Sequence, residues 1–257
     1  MPMPADYGKG SVMLHRSVNR RGFLKTASAA GVALAAAPTS LATPVFATPS
    51  TLSPRDRRLF AIARAELDRL GGRVPHRDLV AIADFGHHSA KPRFHFLSFK
   101  LNKVRSFLVT HGQGSDPDHN GWLSAYSNRD GSLATSRGAY VTGEVYEGKY
   151  GTSYRLDGLD PTNSKARPRA IVGHAADYAR ASHVRQHGKL GRSFGCFAMD
   201  PTDFGHAINL LPGGRLLLAD SYGVGADGKL AANLPGGLQP LMPEKAYGRA
   251  RLLPGVY

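Results

Sequence analysis

From Pro75 onward the apolar residues of this chain come in short runs, first "DLVAIADF", "RFHFLSF" and "VRSFLVTHG", each cut off by Gly, Pro, Ser or Asn. Runs this short, rich in Val, Ile and Phe and bounded by turn residues, suit strands rather than core helices. The opening three read as a β-meander. After a glycine-rich polar tract from Gly112 to Thr135 the pattern resumes in "AYVTGEVYEG", "TSYRLDGL", "RAIVGHA" and "RLLLADSY". Two segments break it with helical spacing. "SPRDRRLFAIARAELDRLGG" offers Ser53 as N-cap, Pro54 at the first helical position, Asp56 in the first turn and Gly71-Gly72 as a stop, with Leu59, Phe60, Ile62, Ala63, Leu67 and Leu70 near helical spacing. "DFGHAINLLPGG" reads as a shorter helix closed by Pro212 and Gly213. The expectation is a mainly β domain with a few helices, free of internal repeats, heptads, GxGxxG or Walker loops.

The N-terminal stretch "NRRGFLKTASAAGVALAAAPTSLATPVFATPS" pairs Arg20 and Arg21 before Phe23, Leu24 and Lys25, then runs into weakly apolar, Ala-rich sequence. This resembles a twin-arginine export signal. The apolar run from Thr26 to Pro38 is too short and too alanine-rich to span a bilayer. Val45 and Ala47 occupy the small-residue positions of a cleavage site. The expected organisation is therefore an export signal over 1–47, cleaved near Ala47; a linker and N-terminal helix over 48–75; a catalytic domain over 76–222; and a loop-rich tail over 223–257. The destination is the periplasm or cell-wall space, with no stable membrane anchor after cleavage and the oligomeric state left open.

Charge points the same way. The chain carries +14, of which residues 1–47 hold +4, so the remaining 210 residues are themselves basic at +10. A basic surface attracts polyanions, and in an exported protein these are wall polymers rather than nucleic acid.

Export also sharpens the meaning of Cys196, the only cysteine. Cysteines in an oxidising space usually pair as disulfides, and this one has no partner in the chain. A lone thiol there is either well buried or kept for its reactivity. To act as a nucleophile it needs a base, because an unperturbed thiol with a pKa of about 8.5 is only a few per cent thiolate at neutral pH. His174, at the end of "RAIVGH" and 22 residues upstream, is the best-placed candidate. The glycines of "GKLGRSFG" permit tight turns that expose backbone N–H groups, so Gly195 and Cys196 are candidate oxyanion donors. Lys189 and Arg192 add positive potential that favours thiolate and attracts carboxylates. On residues alone, a nucleophile and a small buried hydrophobe both remain open. Papain-like and NlpC-like enzymes place the cysteine before the histidine, whereas here only His206 lies downstream, within a predicted helix.

The other histidines read more blandly. His111, Asp116, Asp118 and His119 form a candidate metal cluster, yet their spacing fits no zinc motif such as H-E-x-x-H, and Asp-Pro-Asp is a common turn signature. His111 ends a predicted strand as His174 does, so the two are candidates to line one cleft. His87 and His88 suit a turn, and His183 and His187 flank the site. Tyr140, Tyr154 and Trp122 suit core or cleft wall. A thiol, an imidazole and backbone donors suffice for acyl transfer, so neither metal nor cofactor is expected.

"RAIVGHAADY" followed by "GKLGRSFGCFAM" resembles the murein L,D-transpeptidase catalytic domain of the YkuD type, in the branch with an R-x-I-V-x-H-x-A-x-Y and G-x-L-G-R-S-x-G-C pattern. The resemblance extends over roughly Arg77 to Tyr222. It implies a YkuD-like β-sandwich or β-barrel-like catalytic domain and a cysteine acyltransferase acting on peptidoglycan stem peptides. In such enzymes the thiolate attacks the carbonyl of the diaminopimelate to D-alanine bond, D-alanine leaves, and an amine or water resolves the thioester. Carried over, Cys196 is the nucleophile, His174 its base and later acid, and the N–H groups of Gly195 and Cys196 the oxyanion hole. The sequence departs from the wider family, which reads S-H-G-C with an arginine two residues on, by having Phe194 and Ala198 at those places; Phe197 stands where the branch has proline. Arg192 is the candidate substitute for the missing carboxylate partner, with Ser193 and Tyr154 as further candidate substrate contacts. Two rivals share the site: an L,D-carboxypeptidase or other murein peptide hydrolase, and a non-catalytic wall-binding protein with a buried thiol.

Overall fold

The structure, a computed structural model, describes residues 51–241. The expected export signal over 1–47 and the last part of the C-terminal tail lie outside the described residues. Helix α1 (Pro54–Leu70) begins where its cap predicts: Ser53 Oγ accepts the Asp56 N–H at 3.0 Å, Pro54 sits in the first turn, and Gly71 closes the helix at φ +56°. The strands follow as β1 (His76–Asp84), β2 (Phe94–Ser98), β3 (Lys103–Phe107), β4 (Gly138–Gly148), β5 (Gly151–Gly158) and β6 (Val172–Ala175). Then come α2 (Ala181–His187), β7 (Phe197–Met199), α3 (Pro201–Leu210) and β8 (Arg215–Asp220).

All eight strands form one sheet in the order β3-β2-β1-β8-β4-β5-β6-β7. The β1/β8 and β6/β7 pairs are parallel and the others antiparallel. Its two edges meet. Past β3 the chain reaches the segment leading into β7, where Thr110 N–H donates to Ala198 O (3.0 Å), Ser193 N–H to His111 O (3.0 Å) and Gln113 N–H to Ser193 O (2.8 Å). The sheet thus nearly closes into a barrel, which satisfies edge groups that would otherwise lie open to another chain.

The two faces of the curled sheet carry two cores, because successive strand residues point to opposite sides. Inside, Phe94, Phe96, Phe107, Tyr140, Tyr154, Phe197, Met199 and Leu217 pack with Phe204 and Ala207 of α3. Outside β1 and β8, Val80, Ile82, Leu216 and Leu218 are covered by Leu59, Phe60, Ile62, Ala63 and Leu67 of α1. Each Val, Leu, Ile, Phe or Met among them contributes about 1.5–3 kcal/mol when fully buried. No helix among the described residues is long and apolar enough to cross a membrane.

The strand expected from Arg169 begins instead at Val172. Before it the chain turns tightly, with Arg169 N–H on Lys165 O and Ile171 N–H on Ala166 O, both at 2.9 Å, and Ala170 in the left-handed region at φ +52°. Strand β7 is only three residues long and has no alternation of its own to announce it.

Candidate active site

The register of β6 against β7 defines the site. Gly173 pairs with Phe197 and His174 with Ala198, in parallel. Phe197 and Met199 point into the inner core, as does the Gly173 position, which rests on the ring of Tyr154. Alternation then sends His174 on one strand and Ala198 on the other to the outer face. Cys196 lies two residues before the partner of His174, just ahead of β7, and its thiol faces the Ala170 carbonyl in the turn before β6.

His174 Nδ1 lies 2.9 Å from Ala175 O. A carbonyl oxygen only accepts, so Nδ1 carries the hydrogen and Nε2 keeps a lone pair. Burial lowers the imidazole's pKa, partly opposed by that hydrogen bond, so the ring rests neutral at neutral pH. Tyr150, at the tip of the β4–β5 hairpin, stacks on the imidazole with centroids 4.5 Å apart and planes inclined by 18°. Cys196 is 5% exposed. Its Sγ–H points at Ala170 O, 3.5 Å away, rather than bonding to His174. Burial pushes the thiol up to about 11, against the Val172 N–H and the charge of Arg169, which both favour thiolate. The resting pair is therefore thiol and neutral imidazole.

Ser193 shapes the loop. Its Oγ donates to Cys196 O (2.7 Å) and accepts the Gly195 N–H (3.2 Å), while its backbone is stitched to His111 and Gln113. Gly195 has φ +113°, and a Cβ there would stand 2.7 Å from Ala134 O, so only glycine fits. The Gly195 N–H, one of the two expected oxyanion donors, is engaged by Ser193. Arg192 is tied by Nη1 to the carbonyls of Asp116 and Pro117. Phe194, two residues before Cys196, is exposed.

Two readings change. Tyr154, a candidate substrate contact, is fully buried between Gly173 and Phe204, with no path to a ligand on the outer face. His111 is also internal and does not share a cleft with His174: Arg93, a fully buried guanidinium, donates to its Nδ1 (2.8 Å), and its Nε2–H therefore donates to Asp116 Oδ2 (3.2 Å). Asp116 further accepts the N–H groups of Asn120 and Gly121, at 2.9 Å each. His119 Nε2–H is spent on Leu190 O (3.1 Å), so these residues brace the loop below Arg192 rather than converge on an ion. His87 and His88 hold loops through Val224 O and Asn120 O, and Trp122 packs edge-on against His88. The rings of His183 and His187 on α2 meet at a tilt, 4.4 Å between centroids, beside Lys189 and around a surface hollow shared with His119.

Two residues of the site were not singled out from sequence. Tyr150 was signalled only by its place in a "GKYG" turn between two strands. Arg169 opens the histidine motif itself; its guanidinium reaches back to Ser127 O, Ser132 Oγ, Ala134 O and Ser136 Oγ, behind Gly195.

A model of the L,D-transpeptidase catalytic domain family matches residues 55–219. No curated protein matches the chain. Among solved structures it is similar to an L,D-transpeptidase from Mycobacterium smegmatis, at 12% identity over 56% of this chain and 59% of that one, TM-score 0.36. It is also similar to L,D-transpeptidase 1 of Mycobacterium tuberculosis, at 12% identity over 55% and 60%, TM-score 0.30. A third is the helical cell shape determining protein Pgp2 from Campylobacter jejuni, at 12% over 65% and 56%, TM-score 0.37. The match spans less than two thirds of the length of each of these structures. The family match runs from the first turn of α1 to the end of β8 and takes in both His174 and Cys196: the chain belongs to the L,D-transpeptidase catalytic domain family.

Proposed function

We propose that the protein is a cysteine acyltransferase that performs L,D-transpeptidation on peptidoglycan stem peptides in the periplasm or cell-wall space. The observation that carries this reading is the register that sets His174 on β6 opposite Ala198, two residues after Cys196, with the histidine's Nδ1–H held by Ala175 O and Nε2 left with a lone pair. His174 Nε2 takes the thiol proton as Sγ bonds to the carbonyl carbon of the diaminopimelate to D-alanine bond. The oxyanion that forms faces the Cys196 N–H. The C–N bond breaks, His174 returns the proton to the departing D-alanine amine, and a thioester remains on Cys196. An acceptor amine then attacks the thioester and gives its proton to His174, which regenerates the thiol. Arg192, oriented by its two carbonyl partners, supplies a cation for stem-peptide carboxylates, and the basic net charge favours the same substrate.

One observation favours a second reading, a wall-binding protein without activity: the thiol is buried and points at Ala170 O. Incubating the full chain with disaccharide tetrapeptide beside Cys196→Ala separates the cases by mass spectrometry. A cross-linked dimer with loss of D-alanine supports transfer, loss with monomer alone supports a hydrolase on the same residues, and no product from either protein overturns the enzyme reading.

A further inference from the structure

Cys196 carries no partner cation on its own loop. Arg192, held on the Asp116 and Pro117 carbonyls, is assigned to substrate, and Lys189 lies on the α2 excursion beside His183 and His187. The turn that precedes β6 brings one from the other side. Arg169 Nη1 donates to Ser127 O (2.7 Å) and Ser136 Oγ (2.5 Å), and Nη2 to Ala134 O (2.6 Å) and Ser132 Oγ (3.2 Å). All four acceptors are neutral. No ion pair joins Arg169 to a carboxylate among the described residues, and nearby Asp130 is paired with Lys165 at 3.0 Å. The cradle therefore fixes the guanidinium without cancelling its charge.

Its position relative to the nucleophile is equally defined. A Cβ on Gly195 would lie 3.5 Å from Arg169 Nη2 and 2.7 Å from Ala134 O, one of the cradle's own acceptors. The absence of a side chain at residue 195 is what lets the loop close over the guanidinium. Tyr140 adds a strut from below, its hydroxyl donating to Ser136 O at 2.6 Å.

We infer that Arg169 is a positioning residue of the nucleophile: its unneutralised guanidinium, clamped behind Gly195 by the Ser127–Ser136 loop, stabilises the Cys196 thiolate. This rests on the reading of Cys196 as nucleophile and His174 as base. When Sγ gives its proton to His174 Nε2, sulfur takes the negative charge opposite the guanidinium, and no bond to Arg169 forms or breaks. The other groups around the thiol are the Val172 N–H on β6, the Ala170 carbonyl, the Tyr140 hydroxyl on β4 and that of Tyr178 after β6, and His174 follows Val172 by two residues on the same strand. Burial holds both phenols above their ordinary values and His174 below its own, so at neutral pH Arg169 is the only one of these that is charged.

The test is the pH dependence of iodoacetamide alkylation at Cys196 in the full chain, with D-alanine release from disaccharide tetrapeptide measured on the same samples. Arg169→Gln is expected to move the alkylation midpoint up by about one pH unit or more, which lowers the rate at neutral pH about tenfold. Arg169→Lys is expected to restore most of it. Ser132→Asp, on a partly exposed loop and with the arginine intact, sets a carboxylate against the guanidinium and is expected to raise the midpoint too. It decides the matter if Arg169→Gln does not fold. Midpoints for Ser132→Asp and a folded Arg169→Gln that superimpose on wild type would overturn the inference. Such midpoints with D-alanine still released refute Arg169 alone, whereas a wild type that alkylates but releases no D-alanine refutes the acyltransferase reading.

Discussion

The ring of Tyr150 lies flat on the imidazole of His174, 4.5 Å between centroids, so the tip of the β4–β5 hairpin roofs that ring. Removing the roof exposes the pair beneath. Tyr150→Ala is expected to raise the rate of Cys196 alkylation severalfold while costing about 1 kcal/mol of stability, the scale of one aromatic contact. An unchanged alkylation rate in the folded variant would show that the hairpin does not limit access.

Gly195 has no tolerance for a side chain. Gly195→Ala meets Ala134 O at 2.7 Å and places an L-residue at φ +113°, so the loop must move off Arg169. The strain is on the order of 1–3 kcal/mol. Loss of tetrapeptide turnover together with a lower melting temperature is the expected outcome; a variant as stable and as active as wild type would contradict the geometry described.

Ser193→Ala removes one donor to Cys196 O and one acceptor for Gly195 N–H. Each bond contributes about 1 kcal/mol. The Gly195 N–H is then free, but the loop that aims the Cys196 N–H is not held. Turnover is expected to fall at least tenfold with circular dichroism unchanged, and Ser193→Thr, which keeps the hydroxyl, is expected to recover part of it.

Acid should loosen the fold well above the carboxylate range. Burial lowers His111 to about 4, with Asp116 opposing and Arg93 adding to the shift, and burial lowers His95 to about 3. Both histidines regain their ordinary value of about 6.5 on unfolding, so the unfolded chain takes up protons that the folded chain refuses. Stability is full above about pH 6.5 and declines as pH falls toward 4, and His174 adds to the trend in the same sense. Melting temperatures recorded from pH 7.5 to 4.5 are expected to fall by an amount worth a few kcal/mol; a flat profile would refute the buried, neutral state of these rings.

Much of the framework was readable because its signals are local. Ser53, Pro54 and Gly71-Gly72 mark α1, and the short apolar runs mark seven of the eight strands. The motif order around His174 and Cys196 pointed to the family that the chain belongs to. What was hidden depends on contacts between distant segments. Arg169 looked like the first residue of a strand, and only the return of the Ser127–Ser136 tract, polar and without periodicity, turns it behind Gly195. Arg192 looked free for thiolate or substrate until the Asp116–Pro117 carbonyls claimed part of it. Tyr154 and His111 sit on strands or at their ends, where sequence does not say which face points inward; the inner core took both.

The most direct measurement is the intact mass of the full chain quenched during reaction with disaccharide tetrapeptide, followed by peptide mapping. The account predicts an adduct equal to the tetrapeptide substrate less D-alanine, located on Cys196, released by hydroxylamine as a thioester is and absent from Cys196→Ala. Folded wild-type protein that turns over substrate with the adduct on another residue, or that never carries one while releasing no D-alanine, would contradict it.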